Sequence, residues 1–170
     1  YSHLYEIPCT GLRFFTVYGE WGRPDMAPMI FAKAIYDNKP IKIFNNGLMK
    51  RDFTYIDDIT KCIIKLINKP AKANKSFDSI NPDPSTSWCP HQIFNLGNNK
   101  TVKLMDFISI LEKEIGKKAI KEFVQMQPGD VEETFANTES IFEYIGFKPS
   151  TNIQTGIKEF ISWYKKYYFN

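Results

Sequence analysis

Cysteine and histidine are scarce in this chain of 170 residues, with three of the first and two of the second. Cys9, Cys62 and Cys89 are too few and too scattered for a disulfide framework or a CxxC metal site. With only His3 and His91, no His/Cys/carboxylate cluster stands at ligand spacing, so no metal site is expected and a reducing cytoplasm is. No apolar run approaches membrane-spanning length, and no basic-then-apolar signal pattern opens the chain, so no membrane partner is expected. Charge of one sign is also in short supply: 22 basic residues against 19 acidic leave +3, spread without a basic stripe. That distribution argues against a nucleic-acid partner.

What is present is a chain with 43% hydrophobic residues, enough at this length to bury one sizeable core in one domain. Its most informative stretch is Leu12-Arg13-Phe14-Phe15-Thr16-Val17-Tyr18-Gly19-Glu20-Trp21-Gly22-Arg23-Pro24-Asp25-Met26. An apolar run of strand type, Gly11 to Thr16, breaks into a segment punctuated by Gly19, Gly22 and Pro24, which predicts a buried strand delivering its last residues to a surface loop. Such strand ends are where open α/β sheets bind ligands. Thr16 and Arg23 together can hold a carboxylate or phosphate, because a guanidinium matches such anions with paired, charge-assisted hydrogen bonds. The alternative is a threonine that merely ends a strand and a solvated loop cation.

Periodicity and breakers predict the remaining elements. Residues 1–6 read as the tail of a helix with no cap ahead of it, from which the chain is expected to be the back part of a longer protein. Helices are predicted from Ala27 to Tyr36, entered at Pro28; from Asp57 or Asp58, as cap, to Asn68; from Leu104 to Gly116; from Thr138, as cap, to Gly146; and from Ile153 to Phe169. Strands are predicted at 41–44 and 50–56, joined as a hairpin-like unit through Asn45-Asn46-Gly47, and at 92–96 and 121–126. Residues 71–90, rich in Asn, Ser, Pro and Asp, predict a long surface loop.

The LRFFTVYGEWGRPDM stretch resembles the segment after the sixth sheet strand in NAD-dependent nucleotide-sugar epimerases and dehydratases of the extended short-chain dehydrogenase/reductase superfamily. It is most similar to the UDP-glucuronate 4-epimerase branch, whose pattern reads close to RFFTVYGPWGRPDMA; Glu20 departs from the usual proline. The resemblance extends, element by element, over essentially all 170 residues. It implies an α/β fold: the last strands and helices of a Rossmann-type parallel sheet plus the smaller α/β C-terminal substrate-binding lobe. Residues 1–26, 51–69 and 91–97 would belong to the nucleotide-binding domain, and 27–50, 70–90 and 98–170 mainly to the lobe that holds the UDP-sugar.

Two further motifs carry chemistry. In Lys50-Arg51-Asp52-Phe53-Thr54-Tyr55-Ile56-Asp57-Asp58, an arginine opening a strand can project toward a phosphate while Asp52 orients it; the plainer alternative is a rim ion pair. The resemblance assigns Arg51 to the diphosphate of the UDP-sugar. In Met126-Gln127-Pro128-Gly129-Asp130-Val131, the glycine permits close backbone approach and the carboxylate can accept from vicinal hydroxyls; the alternative is an ordinary Pro-Gly turn. The resemblance assigns Asp130 to the ribose and puts Gln127 where some galactose-type epimerases use an arginine on the phosphate. It sets Phe44 against the uracil, the alternative being an inward strand residue, and Phe14 and Phe15 beside the cofactor. Thr16 and Arg23 would grip the C6 carboxylate and, by holding it out of line with a C4 ketone, discourage its loss as carbon dioxide.

The machinery that such an enzyme needs is missing from these 170 residues. There is no Gly-x-x-Gly-x-x-Gly phosphate loop. The Tyr-x-x-x-Lys from Tyr144 to Lys148 is interrupted by Gly146 and followed by Pro149, so the pair cannot sit one turn apart on a continuing helix. No catalytic residue is therefore expected here. The resemblance implies a UDP-sugar-binding portion of an NAD-dependent epimerase that inverts C4 of UDP-glucuronate through a 4-keto intermediate, in nucleotide-sugar metabolism and polysaccharide biosynthesis. NAD would be bound mainly by a preceding part, the complete protein would be a homodimer, and the fragment alone would be inactive. The alternatives are a related UDP-sugar dehydratase, decarboxylase or UDP-hexose 4-epimerase, or an inactive sugar-nucleotide-binding module.

Overall fold

Glu6 ends the first helix, α1 (Ser2–Tyr5), in the left-handed region at φ 54° and turns the chain into β1 (Cys9–Phe14). The structure, a computed structural model, describes residues 1–169. After β1 come β2 (Thr16–Tyr18), α2 (Ala27–Tyr36), β3 (Pro40–Ile43), β4 (Lys50–Tyr55) and α3 (Ile56–Ile67). A long segment without regular elements leads to β5 (His91–Leu96), β6 (Thr101–Lys103), α4 (Leu104–Ile115), β7 (Ile120–Phe123), α5 (Glu139–Ile145) and α6 (Ile153–Phe169).

The strands form three small sheets, mostly parallel. β1 pairs in parallel with β5, from Cys9 opposite His91 to Phe14 opposite Leu96. β2 pairs in parallel with β4, Thr16 opposite Phe53, and the other edge of β4 takes β6 antiparallel. β3 pairs in parallel with β7. Parallel neighbours need long crossovers, and these run through helices: α2 lies between β2 and β4, α2 and α3 between β1 and β5, and α3 and α4 between β3 and β7.

Several expectations are corrected. The strand predicted to end at Thr16 ends at Phe14, and it is half-buried to exposed rather than buried. Phe15 N–H donates to the Leu96 carbonyl at 3.1 Å, while Val17 N–H turns back to the Phe15 carbonyl at 2.9 Å. This tight turn moves the chain from the β5 ladder to the β4 ladder, so Thr16 opens a strand instead of closing one. The hairpin between β3 and β4 does not form, since each strand pairs elsewhere. Asn45 and Asn46 do take positive φ, 49° each, but inside a 3-10 turn over Phe44–Gly47 that redirects the chain, and Phe44 lies in that turn and not in a strand. A short strand, β6, was not anticipated, because three residues carry too little periodicity to be seen.

The caps differ as well. Asp57 and Asp58 lie in the first turn of α3, behind an N-cap at Tyr55. Buried Asp58 instead accepts from the backbone N–H groups of Ser150 and Thr151 at 2.9 and 2.7 Å, fastening the entry to α6 onto α3. Thr138 is the N-cap of α5 without a side-chain bond, and Asn137 Oδ1 accepts from Glu139 N–H at 3.0 Å in its place. Gly116 and Gly146 end α4 and α5 in the left-handed region, as expected.

Apolar side chains gather in two clusters. The larger joins Tyr18, Phe53 and Tyr55 to α2, β3, α4 and α6, with the Phe53 and Phe107 rings stacked at 4.2 Å. The smaller joins α3, β5 and α5 through Ile59, Cys62, Leu66, Phe94, Leu96, Ile141 and Ile145. Cys62 is a buried apolar contact there, and all three thiols are free. β2 runs along the seam between the two clusters, since Val17 faces the smaller and Tyr18 the larger. Alternation of side chains along a strand makes this possible.

Candidate functional site

A segment distant in sequence builds the cleft. Residues 130–136 run beside β4: Lys50 N–H donates to the Glu132 carbonyl at 2.8 Å, Thr134 N–H to the Lys50 carbonyl at 3.2 Å, and Asp52 N–H to Thr134 Oγ1 at 3.3 Å. Lys50 Nζ also meets Glu133 at 3.1 Å. This lacing carries Asp130 to Arg51, whose Nη2 donates to Asp130 Oδ1 at 2.8 Å. Arg51 Nη1 donates to the carbonyls of Lys50 and Glu132, at 2.9 and 3.1 Å, so the guanidinium is held from three sides. Gly129, at φ 83°, supplies the turn that aims Asp130, and Asp130 N–H closes it on the Gln127 carbonyl at 3.2 Å.

Asp52 does not orient Arg51. Fully buried, it accepts from Asn98 N–H at 2.7 Å, Ala136 N–H at 3.1 Å and Thr54 Oγ1 at 3.3 Å. Its task is to weld β4, the turn after β5 and the 130–136 segment together. Gly97 is required beside it, because a Cβ there would stand 2.9 Å from Asp52 Oδ2 and 2.3 Å from Ala136 Cβ. The Arg51–Asp130 pair thus rests on a buried polar floor.

Above that floor lies a cavity of about 650 Å³ that brings together Phe14, Phe15, Thr16, Arg51 and Asp130. Arg13, Asn95, Val131 and Thr134 complete its lining. Arg13 and Asn95 are register partners across β1 and β5, and sequence reading missed both. The signal was a polar residue within each of two apolar strands. The cavity sits at the carboxyl ends of the parallel pair β1 and β5, where Phe14 is 51% exposed. A cationic fork, an acceptor carboxylate, a threonine hydroxyl and an exposed aromatic ring form a set suited to an anion bearing hydroxyls and a flat ring.

Three expected site residues lie outside this lining. Arg23 is 72% exposed and pairs with Asp25, Nη2 to Oδ2 at 2.5 Å and Nε to Oδ1 at 3.1 Å. The hydrogen bond between them raises the guanidinium pKa and lowers that of the carboxyl. Phe44 is half-buried in its 3-10 turn, and Gln127 is exposed in the loop before Gly129. Tyr144 and Lys148 are not a catalytic pair: the tyrosine hydroxyl donates to the Pro70 carbonyl at 2.9 Å, and Lys148 Nζ sits 5.6 Å from the centre of the Phe142 ring. Among the described residues there is no group of three or more His, Cys, Asp or Glu able to hold a metal ion, and no helix long and apolar enough to cross a membrane.

Residues 1–81 match the model of the NAD dependent epimerase/dehydratase family. Over 99% of its length the chain is 52% identical to Protein CapI of Staphylococcus aureus and 42% identical to a probable UDP-glucuronate 4-epimerase of Rhizobium meliloti, covering 50% of each. The chain therefore spans about half the length of the curated relatives it matches. Among solved structures it is similar, with 31% identity and a TM-score of 0.79, to the UDP-glucuronic acid 4-epimerase of Bacillus cereus in complex with UDP-glucuronic acid and NAD. That superposition covers 98% of this chain and 48% of the other.

Proposed function

We propose, for a chain that belongs to the NAD dependent epimerase/dehydratase family, that it forms the UDP-sugar-binding portion of an enzyme inverting C4 of UDP-glucuronate through a 4-keto intermediate. The observation that carries the reading is the Arg51–Asp130 pair at the floor of a cleft that also holds Thr16. Arg51 takes the diphosphate, as a guanidinium fork suits phosphate oxygens, and Asp130 accepts from the ribose hydroxyls. In the free chain the two groups satisfy each other, and a bound nucleotide exchanges that contact for its own.

Thr16 faces the sugar, and Arg23, once released from Asp25, supplies the counter-charge for its C6 carboxylate. Gln127 leaves the phosphate end with less positive charge than an arginine would. Phe44 contributes a face for the uracil, flat and apolar enough to stack. When bound, NAD would supply a hydride acceptor and donor for C4. The residues here fit one edge of that cofactor: Phe14 and Phe15 border the cleft at the carboxyl end of a parallel strand, the side on which such sheets take dinucleotides. This chain's own residues bind, orient and neutralise. The bond changes at C4 belong to groups outside these 170 residues, and the isolated chain is inactive on this reading.

One observation favours a second reading. With Arg23 on Asp25, Thr16 is left as the polar group facing the sugar without a cation of that loop, an arrangement that serves an uncharged hexose as in a UDP-hexose 4-epimerase or a dehydratase. Titration calorimetry on the complete protein carrying this chain separates the two. Under the first reading UDP-glucuronate binds more tightly than UDP-glucose, and both bind through UDP. Equal affinity for the two sugars rejects the uronate, and no binding of UDP rejects the site.

A further inference from the structure

The loop that carries Arg23 is not free. Gly19, at φ 138°, leaves β2 so close to α3 that a Cβ would lie 2.4 Å from Ile56 Cγ2. Trp21 follows with φ 57°, a conformation a bulky side chain adopts only when its surroundings impose it. The residue is 68% exposed to solvent, yet its ring stands edge-on to two aromatics of α6, Trp163 at 5.4 Å and Tyr167 at 4.8 Å between centroids. Those two rings are themselves stacked at 5.5 Å.

The other flank of Arg23 leans the same way. Pro24 borders a cavity of about 260 Å³ together with Tyr164, Tyr168 and Phe169 of α6. Met26 N–H closes the turn on the Arg23 carbonyl at 3.1 Å. Trp21, two residues before Arg23, is thus seated on the last helix, and Pro24 faces that helix across a cavity, while the Arg23 guanidinium stays in solvent with no partner but Asp25 among the described residues. A fixed backbone with a swinging side chain lets one cation be delivered to one place.

We infer that Trp21 is a positioning residue for Arg23: by docking on Trp163 and Tyr167 it holds the loop at the height from which the guanidinium reaches the carboxylate of the sugar. The inference rests on the proposed role of Arg23 and adds to it that the last turns of α6 take part in sugar selectivity without touching the ligand. Edge-on aromatic contacts are preferred geometries, and two of them supply enough attraction to offset an unfavourable φ.

The test compares dissociation constants for UDP-glucuronate and for UDP, by calorimetry on the complete protein carrying this chain. Trp21→Ala is expected to weaken UDP-glucuronate about tenfold and UDP less than about twofold, from the loss of two aromatic contacts. Trp21→Phe, which keeps an edge-on ring, is expected to restore affinity to within about threefold. Tyr167→Ala, a half-exposed position whose loss leaves the core intact, gives an intermediate weakening and covers the case in which Trp21→Ala fails to fold. Arg23→Ala is measured beside them. If Arg23→Ala weakens UDP-glucuronate and neither the Trp21 nor the Tyr167 variant does, the positioning role is overturned while the site reading stands. Equal loss for UDP and UDP-glucuronate in Trp21→Ala marks a merely structural residue and also overturns it. No effect of Arg23→Ala removes the proposed role of Arg23 on the uronate, and the inference with it, while binding of UDP still decides the site.

Discussion

Arg51 Nη2 and Asp130 Oδ1 meet at 2.8 Å across 79 residues of sequence, so the cation proposed for the diphosphate and the anion proposed for the ribose hold each other. On the proposed reading a bound nucleotide exchanges this pair for its own contacts, and the exchange is cheap where the replacements are as strongly charged.

Arg51→Ala is expected to weaken UDP by about 10- to 100-fold, the range for losing charge-assisted hydrogen bonds. Asp130→Asn removes the charge but keeps an acceptor, and it should weaken UDP less than Arg51→Ala does. Calorimetry with UDP alone reads both, and an Arg51→Ala protein that binds UDP normally would contradict the diphosphate assignment.

Asp25→Asn releases Arg23 from its surface partner. An exposed ion pair is weak, so the gain is modest: UDP-glucuronate is expected to bind about twofold to fivefold more tightly, with UDP unchanged. Weaker binding of UDP-glucuronate in this variant would show that Asp25 assists Arg23 instead of withholding it.

Asp52→Asn leaves the fold in place but replaces a carboxylate that gathers three donors. One amide oxygen cannot serve Asn98, Ala136 and Thr54 as two carboxylate oxygens do, and an NH₂ is brought against donors. A loss of about 1.5–3 kcal/mol is expected in denaturant titration, from weakened hydrogen bonds to a charged group.

Glu112 predicts an acid limb of stability. Burial alone would raise its pKa, but hydrogen bonds from Lys121, the Ala119 N–H and Lys118 outweigh burial and hold it at about 2, against 4.5 for the unperturbed group. A carboxyl depressed on folding stabilises above its unfolded pKa and loses that contribution as pH falls through the folded one. Unfolding free energy should therefore decline from about pH 4.5 towards pH 2 by an amount on the order of 3 kcal/mol, and Glu112→Gln should flatten that decline.

Gly156→Ala reverses the usual sign of a helical glycine substitution. Alanine is ordinarily better in a helix by about 1 kcal/mol. Here the new Cβ would lie 2.0 Å from the Tyr18 hydroxyl oxygen and 2.8 Å from its ring carbon, inside the larger core. A net destabilisation of about 1–3 kcal/mol is expected in thermal or denaturant unfolding, as for overpacked cores. Tyr18→Phe combined with Gly156→Ala should recover part of it.

Helices were readable from sequence wherever period and punctuation agreed. Pro28 opens α2, while Gly116 and Gly146 close α4 and α5 with positive φ. Strand partners were not readable, since β3 finds β7 and β2 finds β4 through contacts with no local signature. Asn45-Asn46-Gly47 misled because positive φ serves a 3-10 turn as well as a hairpin. In the site, Arg51, Asp130 and Thr16 were identifiable as chemistry, but their meeting depends on the lacing of residues 130–136 to β4. Asp52 shows the limit most sharply: a carboxylate next to an arginine in sequence points to the other face of the strand.

The single residue between β1 and β2 leaves the chain no slack. One residue spans at most about 3.6 Å, so the two ladders on either side of Phe15 cannot drift apart without tearing one of them. A slip of β2 by one residue against β4 would invert its sidedness, exiling Tyr18 from the interior and swinging Thr16 off the rim of the cleft, and the short joint guards against it. The joint works as a gauge block: it sets the mouth of the candidate cleft by the length of one peptide unit.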